Sequence, residues 1–191
     1  MPEAALAPFA SRSAPSLTHA AKTTGVEHLA AKITAACDGA PDLMDLRVVS
    51  ALRAAVMDPI LVTADQCVAC PDRYARHILY ADPQGRFTIV ALVWSGGQFS
   101  PIHAHNTWCA YGVYRGVLTE SLFRVDAATA LPTPLRTESR RVGYGCFARS
   151  GLEQVHRLGN AGLEPAISIH VYGVDAGKVY SHVNWVLDAH G

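Results

Sequence analysis

The stretch GQFSPIHAHNTWCAYGVYRG, residues Gly97–Gly116, contains two histidines, His103 and His105, two positions apart. Because side chains alternate along a β-strand, both imidazoles would project from the same face of a strand. Neutral imidazole binds iron, zinc, copper and nickel, so the pair predicts part of a metal site without naming the metal. Taken alone, the pair could equally be two ordinary histidines.

Short apolar or alternating runs lie on both sides of this stretch, from Tyr74 to near the C-terminus. Gly, Pro and Asp separate them, and no long helical pattern intervenes. Many short strands without βαβ spacing favour an antiparallel sandwich or a closed barrel. Two short helices are predicted before the strands from apolar residues at helical spacing: Val26, Leu29, Ile33 and Cys37, then Leu46, Val49, Leu52 and Val56.

Composition limits the organisation of the chain and its partners. The 191 residues, half of them apolar, predict an irregular or mobile arm over residues 1–22 and a single domain over residues 23–191. The formal net charge is zero and no basic run occurs, which argues against nucleic-acid and membrane partners. Five cysteines, without a recognisable export signal, predict reduced thiols in a cytoplasmic protein.

The spacing around the two histidines resembles the first motif of the cupins, a family of all-β barrels also called double-stranded β-helices. In that motif a Gly is followed after five residues by HxH, then by a Glu, and then after six residues by a Gly. Gly97, both histidines and Gly116 match it, whereas Cys109 occupies the position of the Glu. The resemblance implies a cupin fold with short N-terminal helices and a metal site that lacks the carboxylate ligand.

The second cupin motif offers the third ligand. It ends in a His followed after three residues by Asn, which His156 and Asn160 reproduce. Its central Pro-x-Gly corresponds to Arg149-Ser-Gly151, with two additional residues before the His, so this half matches less well. With three neutral imidazoles, the charge of a bound 2+ ion is left uncompensated by protein, which favours an anionic ligand on the metal.

A third pattern, Ser168-Ile-His170-Val-Tyr172, places three polar residues on one face of a strand. It resembles the outer-sphere triad of the thiol dioxygenases, the cysteine dioxygenase family. The resemblance implies Fe(II) on His103, His105 and His156, and oxidation of a small thiol by O2 to a sulfinic acid. It also implies that Tyr172 acts near the substrate, with His170 and Ser168 orienting the phenol. Without the metal motif, the pattern would indicate an edge strand with a wet polar face.

The substrate is indicated by Tyr74-Ala-Arg76, where the family places an Arg that forms a fork with the substrate carboxylate. Relatives selective for 3-mercaptopropionate tend to have Gln there and an Arg after the Ser-x-His-x-Tyr segment. No Arg occurs in residues 173–185, so L-cysteine is favoured over 3-mercaptopropionate. By the same resemblance, Cys109 corresponds to the cysteine that forms a thioether with the triad tyrosine in animal-type enzymes, which implies a possible crosslink to Tyr172.

Three alternatives stay open on the sequence. They are a 3-mercaptopropionate dioxygenase, a non-catalytic metal-binding cupin, and a zinc or nickel isomerase, for which the absent Glu is awkward. The sequence gives no oligomeric state, and it assigns no role to Cys67 and Cys70, a lone CxxC pair without further ligands nearby.

Overall fold

The computed structural model of the protein describes residues 24–126, 129 and 131–187, so the predicted arm over residues 1–22 lies outside the described residues. Two helices come first, α1 (Gly25–Cys37) and α2 (Met44–Ala55). The side-chain oxygen of Thr24 accepts from the backbone N–H of Glu27, and the Glu27 carboxylate accepts from the N–H of Thr24. This reciprocal cap satisfies two N–H groups that the helix itself leaves unpaired.

The strands of the described chain form two five-stranded antiparallel sheets, one ordered β1-β2-β9-β4-β7 and the other β10-β3-β8-β5-β6. The strands are β1 (Ala75–Ala81), β2 (Thr88–Trp94), β3 (His103–His105), β4 (Cys109–Arg115), β5 (Val117–Val125), β6 (Pro132–Arg141), β7 (Gly145–Ala148), β8 (Gly151–Gly159), β9 (Ala166–Tyr172) and β10 (Asn184–Val186). The predicted all-β double-stranded β-helix with short N-terminal helices is confirmed. The proposed boundary at residue 23 stays a prediction.

The first sheet is covered on both faces, which explains why every residue of β2 and β9 is buried. One face of β2, with Ile89 and Val93, packs in the same core as Leu29 and Leu52 of the helices. The other face belongs to a second core, between the sheets, that contains Trp94 together with residues of the second sheet such as Leu118 and Leu158. A strand buried on both faces reads as a continuous apolar run, as β2 does.

Some local features differ from the sequence pattern. Leu46 was expected on the buried face of α2, but 67% of it is exposed, and Val48 and Ala51 face the core instead. Within the last apolar run, residues 178–187, only Asn184–Val186 is a strand, after a 3-10 turn at Ala176–Lys178. Strand β6 contains Pro132 and Pro134, which disfavour a strand. The sheet tolerates them because β6 lies at its edge.

Two of the motif residues have structural roles. Gly116 joins β4 to β5 with φ +74°, and a Cβ there would lie 3.1 Å from Ala166, so the turn requires glycine. The buried Asn160 side chain donates to the carbonyl oxygens of Trp94 and Glu164 at 3.0 and 2.8 Å and accepts from the N–H of Gly162. These contacts fix the end of β8 against the end of β2. No helix of the described chain is long and apolar enough to cross a membrane.

Candidate metal centre

Three buried histidines meet between the two strands β3 and β8. His103 lies directly opposite His156 in the strand register, and His105 is on the same strand as His103. One ring nitrogen from each histidine lies within 4.8 Å of the others, and the Nε2 atoms of His105 and His156 are 3.3 Å apart. Three nitrogen atoms at this separation can hold one metal ion.

Burial keeps the imidazoles of His103 and His105 neutral. Loss of solvent, and then the proximity of His156, lower the pKa of His103 to about 3 and that of His105 to about 2. A neutral imidazole has one nitrogen with a free lone pair, which is the form that binds a metal. Two lone pairs facing each other at the short Nε2–Nε2 separation repel unless a proton or a cation lies between them, so the geometry fits a bound cation.

The far side of two of the rings is hydrogen-bonded to an acceptor. His103 Nδ1 is 3.0 Å from the carbonyl oxygen of Pro101, and His156 Nδ1 is 2.8 Å from Oε1 of Glu120 on β5. A proton held on Nδ1 by these acceptors leaves Nε2 free as a ligand atom, which is the usual arrangement at metal-binding histidines. Nδ1 of His105 has no partner among the described residues.

Glu120 is an ionised carboxylate in the core behind His156. Burial would raise its pKa, but hydrogen bonds from His156 and from Arg140 outweigh this and the pKa is lowered. Arg140 Nε donates to Glu120 Oε2 at 2.8 Å, and its guanidinium also contacts Glu138 at 2.8 Å. In this chain Cys109 occupies the carboxylate position of the first cupin motif. Glu120 supplies a negative charge behind His156, which it contacts directly.

The predicted triad forms a continuous chain of hydrogen bonds, which Trp94 extends by one residue. Ser168 Oγ is 2.9 Å from His170 Nε2, and His170 Nδ1 is 3.1 Å from the Tyr172 hydroxyl. Trp94 Nε1–H donates to Ser168 Oγ at 3.0 Å. Because β9 lies inside its sheet, the alternative of an edge strand with a wet face is wrong.

This chain of hydrogen bonds determines which ring nitrogen of His170 carries the proton. The buried Ser168 hydroxyl needs an acceptor, and His170 Nε2 is the one it has in the described part of the chain. The ring proton is then on Nδ1 and donates to the Tyr172 oxygen, which leaves the phenolic hydrogen of Tyr172 directed away from His170. Burial, first of all, raises the pKa of Tyr172 well above its usual value, so this hydrogen is retained.

One cavity joins the three histidines, His170 and Tyr172 of the triad, and the predicted substrate residues. Arg76 and Tyr74 form part of its wall, and Arg76 Nη2 donates to the Tyr74 hydroxyl at 2.9 Å. The Tyr74 ring stacks on Trp94 with 4.3 Å between centroids. Within the described residues no carboxylate pairs with Arg76. The positive charge of Arg76 also contributes to the lowered pKa of His103. The guanidinium can therefore pair with an anion that enters the cavity.

Cys109 lies directly opposite Tyr172 in the register of β4 and β9. The adjacent pair, Trp108 and Gly173, is joined by a backbone hydrogen bond, because the N–H of Gly173 donates to the carbonyl of Trp108 at 2.9 Å. Cys109 and Tyr172 therefore form a non-hydrogen-bonded pair, the kind in which facing side chains are closest. Both residues are buried and line the cavity, and burial raises the pKa of the Cys109 thiol well above its usual value.

Other expectations about the site had mixed outcomes. Trp108 precedes Cys109 in the chain but packs on the opposite side of β4 from the cavity, where it stacks on Phe147 with 5.5 Å between centroids. Cys67 and Cys70 are free thiols and belong to no metal-ligand group in the described part of the chain. The sequence interpretation missed Glu120 altogether. Its only signal was a charged residue at an inward position of the alternating strand Leu118-Thr-Glu120.

Comparison with known proteins gives a family match over most of the chain. A family model described as cysteine dioxygenase type I matches residues 19–181. The type 1 cysteine dioxygenases of Homo sapiens and Pongo abelii are each 29% identical over 102 residues, which cover 52% of this chain and 50% of the relative. The match thus spans about half the length of these curated relatives.

Solved structures also show partial similarity to this chain. An uncharacterised protein with a double-stranded β-helix domain from Klebsiella pneumoniae shows 19% identity and a TM-score of 0.44, covering 61% of this chain and 91% of its own. A recombinant oxalate oxidase in complex with glycolate shows 16% identity and a TM-score of 0.44, covering 61% of each chain.

Proposed function

Since this chain belongs to the cysteine dioxygenase type I family, we propose that it is an Fe(II)-dependent dioxygenase that converts L-cysteine and O2 into cysteine sulfinic acid. The reaction adds both oxygen atoms of O2 to the thiol sulfur, R–SH + O2 → R–SO2H, so no external reductant is needed. The observation that carries the proposal is one cavity lined by the three histidines, by His170 and Tyr172 and by Arg76.

The metal would be held by His103, His105 and His156. Their neutral nitrogens suit a 2+ transition ion, and three ligands leave coordination positions open for small molecules. When bound, ferrous iron supplies a site where the substrate thiol ionises at neutral pH and the electrons that activate O2. Structural metal sites have a closed ligand set, so an open site beside an ordered phenol argues against a non-catalytic cupin.

The protein's own groups then bind and orient the substrate. Arg76 would hold the substrate carboxylate, with Tyr74 fixing the guanidinium through their hydrogen bond. The Tyr172 hydroxyl would donate its hydrogen into the cavity, toward the reacting oxygen or the substrate carboxylate. His170 and Ser168 would hold the phenol in place, with Trp94 supporting the far end of the chain. A phenol fixed in this way needs no rearrangement as charge develops in the reaction.

A thiol that carries a carboxylate is the proposed substrate class, because Arg76 is a charged group of the cavity wall without an anionic partner in the described chain. Cysteine is preferred to 3-mercaptopropionate because residues 173–185 contain no Arg. We expect Arg76→Gln to raise KM for cysteine about 5- to 30-fold, since a charge-assisted fork is replaced by a neutral contact about 1–2 kcal/mol weaker. Cysteamine lacks a carboxylate, so it should be a poor substrate of the wild type and nearly unaffected by the change. Oxygen consumption with cysteine, 3-mercaptopropionate and cysteamine gives kcat and KM for each thiol.

The exposed Arg73 offers a matched control, because it is near Arg76 in the chain but outside the cavity. Arg73→Gln should leave KM for cysteine within about twofold of the wild type. If the wild type prefers 3-mercaptopropionate to cysteine in kcat/KM, the substrate assignment is wrong, although the metal site and the dioxygenase class stand.

The carboxylate behind His156 should strengthen metal binding. We expect Glu120→Gln to weaken Fe(II) affinity about tenfold, because the neutral amide holds the Nδ1 proton of His156 less strongly. Anaerobic competition with a coloured chelator measures the affinity. Glu138→Gln is the control, since Glu138 also bonds Arg140 but does not contact His156. Equal Fe(II) affinities of the two variants would show that Glu120 does not contribute to metal binding.

The facing pair Cys109 and Tyr172 is proposed to form a thioether during aerobic turnover. A C–S bond would form next to the phenolic oxygen, and the thiol and ring hydrogens would pass with two electrons to O2, giving hydrogen peroxide in net terms. We expect the intact mass of the wild type to fall by two hydrogen atoms after turnover, and that of Cys109→Ser to stay constant. An unchanged wild-type mass would contradict the crosslink.

A further inference from the structure

Two buried polar atoms of the cavity wall have no hydrogen-bond partner in the described part of the chain. They are Nδ1 of His105 and Oδ1 of Asn184, and both residues line the same cavity. An amide oxygen can only accept a hydrogen bond, whereas an imidazole Nδ1 donates when it carries the ring proton. A buried group without a partner costs about 1–3 kcal/mol, so an unpaired donor and an unpaired acceptor side by side call for an explanation.

The strand register places these two residues face to face. Asn184 is the Cα partner of His105 where β10 pairs with β3. The flanking residues are joined by backbone bonds, from Asn106 N–H to Val183 O at 2.8 Å and from Leu187 N–H to Ile102 O at 2.9 Å. Hydrogen-bonded and non-hydrogen-bonded pairs alternate in an antiparallel ladder, so His105 and Asn184 form a non-hydrogen-bonded pair. In such a pair the Cα atoms are about 4.5 Å apart and the side chains are at their closest.

We propose that Asn184 is the positioning residue of His105, and that its amide oxygen accepts the Nδ1 proton of this ligand when the metal is bound. The proposal rests on the proposed metal site. A metal on Nε2 requires the proton on Nδ1, and the register places an unpaired amide oxygen on the residue that faces His105.

With this bond each of the three ligands has its own acceptor. His103 donates to a backbone carbonyl of its own loop, and His156 donates to Glu120. His105 would use Asn184, which comes from the last strand of the described chain. Strand β10 therefore has a function beyond covering the edge of β3, since it completes the metal site from the far end of the sequence.

The test compares variants of Asn184 in the full-length protein. Asn184→Leu removes the acceptor at similar volume, and Asn184→Asp keeps an acceptor oxygen. Val186→Ala is the matched control. Val186 lies on the same short strand as Asn184 and faces His103, but it has no polar side-chain atom. Fe(II) affinity is measured anaerobically by chelator competition. The tautomer of His105 is measured by long-range ¹⁵N–¹H NMR in the apo and the zinc-loaded protein.

We expect Asn184→Leu to weaken Fe(II) binding about tenfold and Val186→Ala to stay within about twofold of the wild type. Asn184→Asp keeps an acceptor oxygen and adds a negative charge near the ion, so it should bind Fe(II) at least as tightly as the wild type. The Nδ1 proton of His105 should be observed in the wild type and in Asn184→Asp, and should be lost to exchange in Asn184→Leu. Equal affinity and an equal His105 spectrum in Asn184→Leu and wild type would overturn the proposal. So would a rise in KM for cysteine without a change in metal affinity, because Asn184 would then contact the substrate instead.

Failure of the proposed function has a different signature. A wild type that binds no Fe(II) at all would contradict the iron site, while the His105 spectrum of the zinc-loaded protein would still report whether Asn184 accepts the Nδ1 proton. If Asn184→Leu unfolds, the affinity and spectrum of Asn184→Asp decide, since an acceptor at this position must preserve both.

Discussion

Purified His156→Ala protein is expected to contain almost no iron, whereas the wild type should bind up to one Fe(II) per chain. Removing one of three ligand nitrogens leaves two, and we expect the affinity to fall on the order of 10³-fold or more. The loss should be larger than for Glu120→Gln, because Glu120 only orients a ligand. Metal analysis after anaerobic loading and desalting measures the occupancy, and oxygen consumption should be lost in parallel.

A matched control is His77→Ala. His77 bonds the carbonyl of Val68 through Nε2 and lies outside the cavity, so this variant should retain full iron content. Full occupancy in His156→Ala would remove this histidine from the ligand set. Loss of iron in both variants would instead indicate that the substitutions destabilise the fold.

Tyr172→Phe is expected to keep iron and thiol binding but to lose most turnover, with kcat lower by about 10²-fold. A fixed hydroxyl that donates to charge developing in the reaction affects the rate far more than it affects binding of the ground state. Fe(II) affinity and KM for cysteine should stay within about threefold of the wild type, and steady-state oxygen consumption separates kcat from KM.

Two further variants make the result specific. Phe cannot form the thioether, so Cys109→Ser, which also lacks the crosslink but keeps the hydroxyl, isolates the contribution of the phenol. Tyr114→Phe is the packing control, since its buried hydroxyl donates to the Pro59 carbonyl in the core beneath the helices. Unchanged turnover in Tyr172→Phe would make Tyr172 a packing residue.

The parts of the site that lie within one strand were predictable from the sequence. His103 and His105, and likewise Ser168, His170 and Tyr172, share a face because alternation along a strand is a local rule. The third histidine needed the resemblance to a known motif, because β8 meets β3 only through long-range pairing. The same resemblance placed Arg76 at the cavity, as the structure has it.

The residues behind the site could not be predicted because their contacts join distant strands. Glu120 meets His156 across β5 and β8, and Trp94 meets Ser168 across β2 and β9. Asn184 faces His105 because of a register that no local pattern specifies. The error at Leu46 has a related cause, since the packing of α2 on the sheet, and not its apolar pattern alone, decides which face is buried.

The most direct test of the proposed function supplies anaerobically iron-loaded wild-type protein with L-cysteine and ¹⁸O2, and follows O2 uptake and product mass together. We predict one molecule of O2 consumed per molecule of cysteine sulfinic acid formed, with both oxygen atoms of the sulfinate carrying the label. Product with label in only one position, formation of cystine with hydrogen peroxide, or no O2 uptake with any small thiol would contradict the account.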